Sequence, residues 1–224
     1  MSTPLPRATA NVQFPAITQK HRLEARTFLE DQIILLDGVL SPEECKNYVK
    51  FIDNQPLELT PPKKRGEAAR VNYRISITST EMANRLYEVL SPHLPPFPYP
   101  ESAKRPGTST RPAHSFNSNI RLYKYTPGQY FGQHYDDTVC DSVTGAKSEW
   151  TLLVYLTGAE DGVKGGQTLF FRTHRGNASD AMVPPLKRGM ALLHRHGPEC
   201  LLHEGSPVLE GVKYVLRSDL MFMD

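Results

Sequence analysis

Cysteine is scarce: the 224 residues contain only Cys45, Cys140 and Cys200, with no CxxC pair. An odd, scattered set cannot staple a small secreted scaffold, and a reducing compartment, cytoplasmic or nuclear, is the expected setting. Long apolar runs are also missing. No stretch approaches the roughly eighteen apolar residues that a membrane span needs. Met1 to Pro15 is polar and carries Pro4, Pro6 and Pro15, so no secretory signal is expected there. A surplus of one charge is lacking too: 26 Lys and Arg stand against 24 Asp and Glu, a net +2. That balance gives no electrostatic case for a nucleic-acid or membrane partner. No internal repeat is visible. What remains is a chain long enough for one domain with a sizeable core.

Residues 1–20 read as a flexible N-terminal arm, and residues 21–224 as a single domain. Helical support is expected over 21–118 and a barrel core over 119–224. His21 to Glu30 fits a short helix, and Gln32 to Leu36 a buried strand closed by Asp37-Gly38. Ser41-Pro42-Glu43-Glu44 is a strong helix start, with Ser as cap, Pro in the first turn and Glu44 closing a capping box. Cys45, Tyr48, Val49 and Ile52 follow at helical spacing. Asn54 to Arg74, with Lys63-Lys64-Arg65-Gly66, reads as a solvated loop, or else as a flap near a substrate or a nuclear-localisation patch. Thr80 to Leu90 predicts a second helix, with Met82, Leu86, Val89 and Leu90 on one side. Ser91 to Ser118 holds seven prolines and is expected to be a covering loop or a peptide-facing rim.

From Asn119 onward the pattern changes to short strands between Gly and Pro turns: 120–125, 150–156, 167–171, 189–193 and 212–223. Many short strands at such spacing predict an antiparallel barrel or jelly roll, mainly β, braced by the preceding helices.

The chemistry centres on His134-Tyr135-Asp136. With 8 His in the chain, chance produces such a triplet readily, and His194-x-His196, His114 and His174 are rivals. Position separates them. Residues i and i+2 of an extended segment point the same way, so His134 and Asp136 share a face with Tyr135 turned away. They follow the turn Thr126-Pro127-Gly128-Gln129 and so sit at a barrel mouth. His203, after Leu201-Leu202, can join them if distant strands become neighbours. Two imidazoles and one carboxylate, with positions left open, favour redox-active Fe(II) over structural zinc. On the last strand Lys213, Val215, Arg217 and Asp219 share one face. Asp219 can neutralise Arg217, which leaves Lys213 as the candidate to hold an anionic cosubstrate, with Arg217 as the alternative cation. Both could instead bridge surface carboxylates.

Five spaced motifs carry a resemblance. Arg121-Leu122-Tyr123-Lys124-Tyr125-x-x-Gly128, His134-x-Asp136, Gly165-Gly166-x-Thr168-x-Phe170, Gly189-x-Ala191-Leu192-Leu193, and His203 with Lys213 occur in the order found in prolyl 4-hydroxylases. Those enzymes are Fe(II)/2-oxoglutarate-dependent dioxygenases, and the likeness spans about residues 32–222. It implies a double-stranded β-helix with Fe(II) on His134, Asp136 and His203. It further implies that Lys213 pairs with the distal carboxylate of 2-oxoglutarate, that Tyr123 or, preferably, Tyr125 hydrogen-bonds the same molecule, and that Thr168 lines the pocket. O₂ is the second cosubstrate and ascorbate a further candidate cofactor. His194 and His196 then end a strand beside the site rather than ligate.

The reaction implied is hydroxylation of a C–H bond with release of succinate and CO₂. The expected substrate is a prolyl residue of a protein or peptide. The alternatives are a free amino acid or other small molecule handled by the same iron site, and a cupin-like metal-binding module without redox chemistry.

Overall fold

The computed structural model describes residues 12–20, 23–99, 105–142 and 144–223. In chain order, β1 (Glu24–Leu29) and β2 (Ile33–Asp37) precede α1 (Pro42–Asp53), β3 (Glu58–Leu59), β4 (Arg70–Val71), β5 (Tyr73–Thr78) and α2 (Thr80–Leu90). Then come β6 (Ser115–Phe116), β7 (Asn119–Tyr125), β8 (Tyr130–His134), β9 (Lys147–Tyr155), β10 (Lys164–Gly165) and β11 (Thr168–Phe171). The chain ends with β12 (Ala181–Met182), β13 (Ala191–Arg195), β14 (Leu202–Gly205), β15 (Val208–Glu210) and β16 (Lys213–Phe222).

Apart from a small β10–β15 pair, the strands form two antiparallel sheets facing each other, the expected double-stranded β-helix. The larger runs β1-β2-β13-β9-β16-β7-β5-β3, with β6 also on β16, and the smaller runs β12-β11-β14-β8-β4. β16 is buried along its whole length, and its alternation serves two cores. Tyr214, Leu216 and Leu220 join Tyr48, Ile52 and Leu86 of the helices on the outer face. Val215 joins Tyr123, Tyr125, Phe170 and Leu192 between the sheets. The candidate chemistry lies in this second, inter-sheet layer.

Both helices start where their caps place them. Ser41 accepts from the Glu44 amide at 3.2 Å, while Glu44 Oε2 accepts from the Ser41 amide at 2.7 Å. The second helix occupies the expected span, and Ser79 caps it.

Four expectations are corrected. The helix over 21–30 is instead β1, hairpinned onto β2; Asp31 takes a left-handed turn (φ 64°), and the apolar edge of β2 gives the segment a pairing partner. Residues 21 and 22 lie outside the described residues, as do residues 1–11 of the expected arm. The rest of that arm, 12–20, is an extended strap on the helices. Ile17 is 1% exposed, its carbonyl accepts from Arg85 Nε at 2.8 Å, and Tyr48 Oη donates to the Pro15 carbonyl at 2.9 Å. The Thr18 amide and hydroxyl both donate to Glu44 Oε1 at 2.7 Å, and Lys20 pairs with Oε2. Although burial alone would raise the Glu44 pKa, these bonds hold it at about 2. Third, the division into helical support and barrel core at 118/119 does not hold. β1, β2, β3 and β5 extend the larger sheet and β4 the smaller, because their inward residues complete sheets that later strands leave open. Fourth, Asn54 to Arg74 is not a plain loop: β3 and β4 anchor its ends to β5 and β8, and residues 60–68 lie over the mouth between the sheets.

The described part of the proline-rich segment covers the outer core. Phe97 packs on Phe222 with ring centres 5.6 Å apart, and Tyr99 on Trp150 at 5.7 Å, closing the far end of the outer core.

Candidate active site

β8 and β14 are antiparallel neighbours, and their register sets His134 directly opposite His203. That pairing answers how residues 69 positions apart meet. Asp136 follows two residues after the end of β8, its amide donating to Cys200 Sγ at 3.3 Å and its carbonyl accepting from the Gly197 amide at 2.8 Å. The candidate donor atoms of His134, Asp136 and His203 all lie within 4.8 Å of one another.

The imidazoles are oriented by the backbone. His134 Nδ1 lies 2.8 Å from the Gly132 carbonyl, and His203 Nδ1 2.9 Å from that of Leu201. A carbonyl can only accept, so each Nδ1 carries a proton and each Nε2 faces inward. Those two atoms stand 3.7 Å from Asp136, one near each carboxylate oxygen. Rings brace them from behind: Phe131 stacks on His134 at 3.6 Å, and Phe170 on His203 at 5.5 Å. Borderline nitrogen donors plus one carboxylate, aimed at a common point and held by carbonyls, fit Fe(II) with positions left over.

Asp136 has a partner across the gap. Arg217 of β16 reaches it with Nη1 at 3.0 Å from Oδ1 and Nη2 at 3.0 Å from Oδ2, and Thr151 Oγ1 donates to Oδ2 at 2.9 Å. Burial alone would favour the neutral acid, but Arg217 foremost, then His203, hold Asp136 well below the usual carboxylate range. Burial, then His203, pushes His134 down to about 3. His203 goes the other way: against its burial, the Asp136 carboxylate raises it to about 9. The cluster thus holds a proton beside Asp136 where it would otherwise hold a metal cation.

Arg217 also touches Asp219, so its charge is neutralised twice. Lys213 differs. It is 5% exposed, its Nζ donates to the Gly166 carbonyl at 2.6 Å, and it forms no ion pair among the described residues. Burial alone pushes its pKa down to about 7. Tyr125 is its cross-strand partner, and the Tyr125 and Tyr155 rings lie 5.4 and 5.5 Å from Nζ. Gly166 is required here: its φ is 72°, and a Cβ would come within 3.0 Å of Val208 and 3.3 Å of Lys213. Tyr123, Tyr125, Thr168 and Leu153 line the same small cavity of about 50 Å³ between Lys213 and the His/Asp cluster. That holds only a few waters, so a larger anion displaces side chains on binding.

All eight residues singled out in the sequence therefore surround one cavity, with Arg217 turned to Asp136 rather than to the space beside Lys213. Tyr155 and Thr151 were missed. Tyr155 Oη pairs with Thr168 Oγ1 at 2.7 Å. The apolar run 150–156 hid Thr151 and Tyr155, although they share the parity of Leu153, which faces the cavity. His196 is satisfied by Thr151 and Ser148 at 3.0 and 2.8 Å. His194 comes closer than expected: its Nε2 is buried without a hydrogen-bond partner, 3.6 Å from Asp136. The His114 ring bonds its neighbour Ser115, and His174 pairs with Tyr135 outside the cavity.

Residues 120–218 match the model of the 2OG-Fe(II) oxygenase superfamily. No curated protein matches the chain. Among solved structures, the viral collagen prolyl hydroxylase of Paramecium bursaria Chlorella virus-1, in its 2OG complex, is 19% identical with a TM-score of 0.53 and covers 85% of this chain and 96% of its own. A Pseudomonas putida prolyl-4-hydroxylase is 13% identical (TM-score 0.53), covering 86% and 93%. A Trichoplax adhaerens prolyl hydroxylase, in complex with a hypoxia-inducible-factor peptide fragment, is 15% identical (TM-score 0.55), covering 85% and 83%. At these identities the structures establish the shared fold.

Proposed function

We propose, for a chain whose residues 120–218 match the 2OG-Fe(II) oxygenase model and whose fold is shared with prolyl hydroxylases, that it hydroxylates a prolyl residue of a protein or peptide. The observation that carries the reading is Lys213: a buried ammonium with no carboxylate partner among the described residues, one cavity-width from a His/Asp/His cluster. An unpaired buried cation is costly, and an anionic cosubstrate relieves that cost.

When bound, Fe(II) and 2-oxoglutarate supply the oxidising power that converts C–H to C–OH with O₂, leaving succinate and CO₂. The chain does the holding. His134, Asp136 and His203 ligate the ion, and the Gly132 and Leu201 carbonyls keep their rings in the correct tautomer. Arg217 and Thr151 fix the carboxylate, so that Asp136 remains anionic and correctly turned. Lys213 pairs with the distal carboxylate, Tyr125 donates to the same group, and Thr168 with Tyr155 forms the polar wall beside it. Leu153, Val215 and Phe170 exclude water from the cavity. A peptide-bearing neighbour of the same fold favours a peptide over a free amino acid.

The test is Fe(II)- and O₂-dependent succinate formation by the wild type and by His134→Ala, Asp136→Ala and Lys213→Ala, with mass spectrometry of proline peptides and free amino acids. Loss of turnover in the first two variants, with a gain of about 16 Da on a peptide, is expected. Undiminished succinate formation by His134→Ala would sink the assignment.

A further inference from the structure

Outside the cavity, and opening to solvent, lies a groove of about 530 Å³ bounded by Thr60, Lys63, Arg70, Arg74, His134 and Asp137 among others. Two guanidiniums in it lack a carboxylate partner among the described residues, although Arg70 also hydrogen-bonds Tyr123 and Tyr125. Arg70 is anchored by its Nε to Asn72 Oδ1 at 2.7 Å, and its Cζ sits 4.6 Å from the Tyr123 ring centre and 4.2 Å from that of Phe131. Phe131 in turn stacks on His134, so Arg70 stands one ring's thickness outside the candidate metal cluster. Its Nη2 is buried with no hydrogen-bond partner. Arg74, from the adjacent β5 and opposite Tyr123 in register, is half-buried in the same groove. Among the described residues neither arginine forms an ion pair.

The acids nearby do not fill the role. Arg217 takes up Asp136, and Arg121 takes up Asp219. Glu67 and Asp137 are exposed at the rim, and Glu67 accepts from the Lys64 amide. Burial and then the charge of Arg70 push the Arg74 pKa down, and the smaller opposing pull of Tyr123, Tyr125 and Glu67 does not offset them. Paired guanidinium forks over an aromatic floor are suited to a carboxylate, which each can bind in bidentate fashion.

We infer that Arg70 and Arg74 form a carboxylate-binding subsite for the substrate, so that the residue to be hydroxylated arrives beside an acidic group. This rests on the hydroxylase reading above and narrows its substrate class. The carboxylate has two possible sources, an Asp or Glu side chain flanking the target in a peptide, or the α-carboxylate of a free amino acid.

The experiment uses the full chain with proline peptides flanked by Asp, Asn or Lys, together with free L-proline and L-prolinamide. Affinity is read by fluorescence anisotropy of labelled peptides or by competition, and hydroxylation by mass gain. The Asp peptide should exceed the Asn peptide by about tenfold in affinity and in kcat/KM, and the Lys peptide should be poorest. Preference for L-proline over both L-prolinamide and the peptides would support the subsite and assign the carboxylate to the amino acid itself. Arg74→Glu should reverse the order in favour of Lys; its half-buried position makes it the fallback if Arg70→Gln fails to fold. Equal use of the three peptides, or an order unchanged by Arg74→Glu, would overturn the inference while leaving the oxygenase reading intact. Arg74-dependent binding of the Asp peptide without hydroxylation of any compound would count for the subsite and against the oxygenase reading. No charge preference and no hydroxylation would overturn both.

Discussion

Single residues in the cavity titrate in opposite directions, and this separates metal from cosubstrate. His203, raised to about 9 by Asp136, must give up its proton to ligate. Metal affinity should therefore rise by about tenfold per pH unit from 6.5 toward 9 and level off beyond it, as calorimetry with Mn(II) would measure. A flat profile would mean that His203 does not ligate. Lys213, lowered to about 7 by burial, must instead be charged to pair with a dicarboxylate. Affinity for 2-oxoglutarate should fall as pH rises from 7 to 9, and Lys213→Arg, charged throughout, should flatten that fall. Arg217 contributes elsewhere. Arg217→Met leaves Asp136 buried without its bidentate partner, which should cost about 3–5 kcal/mol in denaturant unfolding. Its effect on the KM for 2-oxoglutarate should be smaller than that of Lys213→Met. The two cations look equivalent in the sequence, at i and i+4 of one strand face. Only the spatial arrangement shows that one is neutralised twice and the other not at all.

Elements differed in how legible they were. Both helices could be read to within a residue because capping is local: the Ser41 and Glu44 side chains settle the first helix among themselves. The strands β7, β9, β11, β13 and β16 were visible as β-branched and apolar runs between glycines. β1 was not, because its residues are mostly exposed and β2 supplies the reason to be extended. The strap over 12–20 was hidden likewise, since its only buried apolar anchor of note, Ile17, depends on Tyr48 and Arg85 of elements not yet folded. Glu44 joins the two stories, as it serves both the cap and the strap. Glu44→Ala should cost about 1–3 kcal/mol and accelerate amide exchange at Thr18 and Ser41 together, whereas Ser41→Ala should affect the helix end alone. If Thr18 exchange is unchanged in Glu44→Ala, the strap is held by other contacts. At the turn before β11, Gly166→Ala forces a side chain into a left-handed position against Val208 and Lys213. It should raise the KM for 2-oxoglutarate more than it lowers the melting temperature.

Across the whole molecule, two facing sheets and one helical layer assign work by side-chain parity. The candidate site could be read because its residues lie at fixed spacings within strands; its surroundings could not, because Arg70, Thr151 and Tyr155 reach their partners around the site only when the sheets close. β16 carries this division to its limit. Odd positions 213, 215 and 217 line the cavity, and even positions 214, 216 and 220 serve the helices. The gene therefore meets an uneven tolerance to insertion and deletion. One extra codon between Val215 and Leu216 would turn every later side chain to the opposite layer, sending Arg217 into the apolar core and Leu216 toward Asp136. One extra codon among residues 62–66 would lengthen an exposed crossing and leave both layers as they are. Lineages of this chain should vary in length at that crossing and never within its last strand.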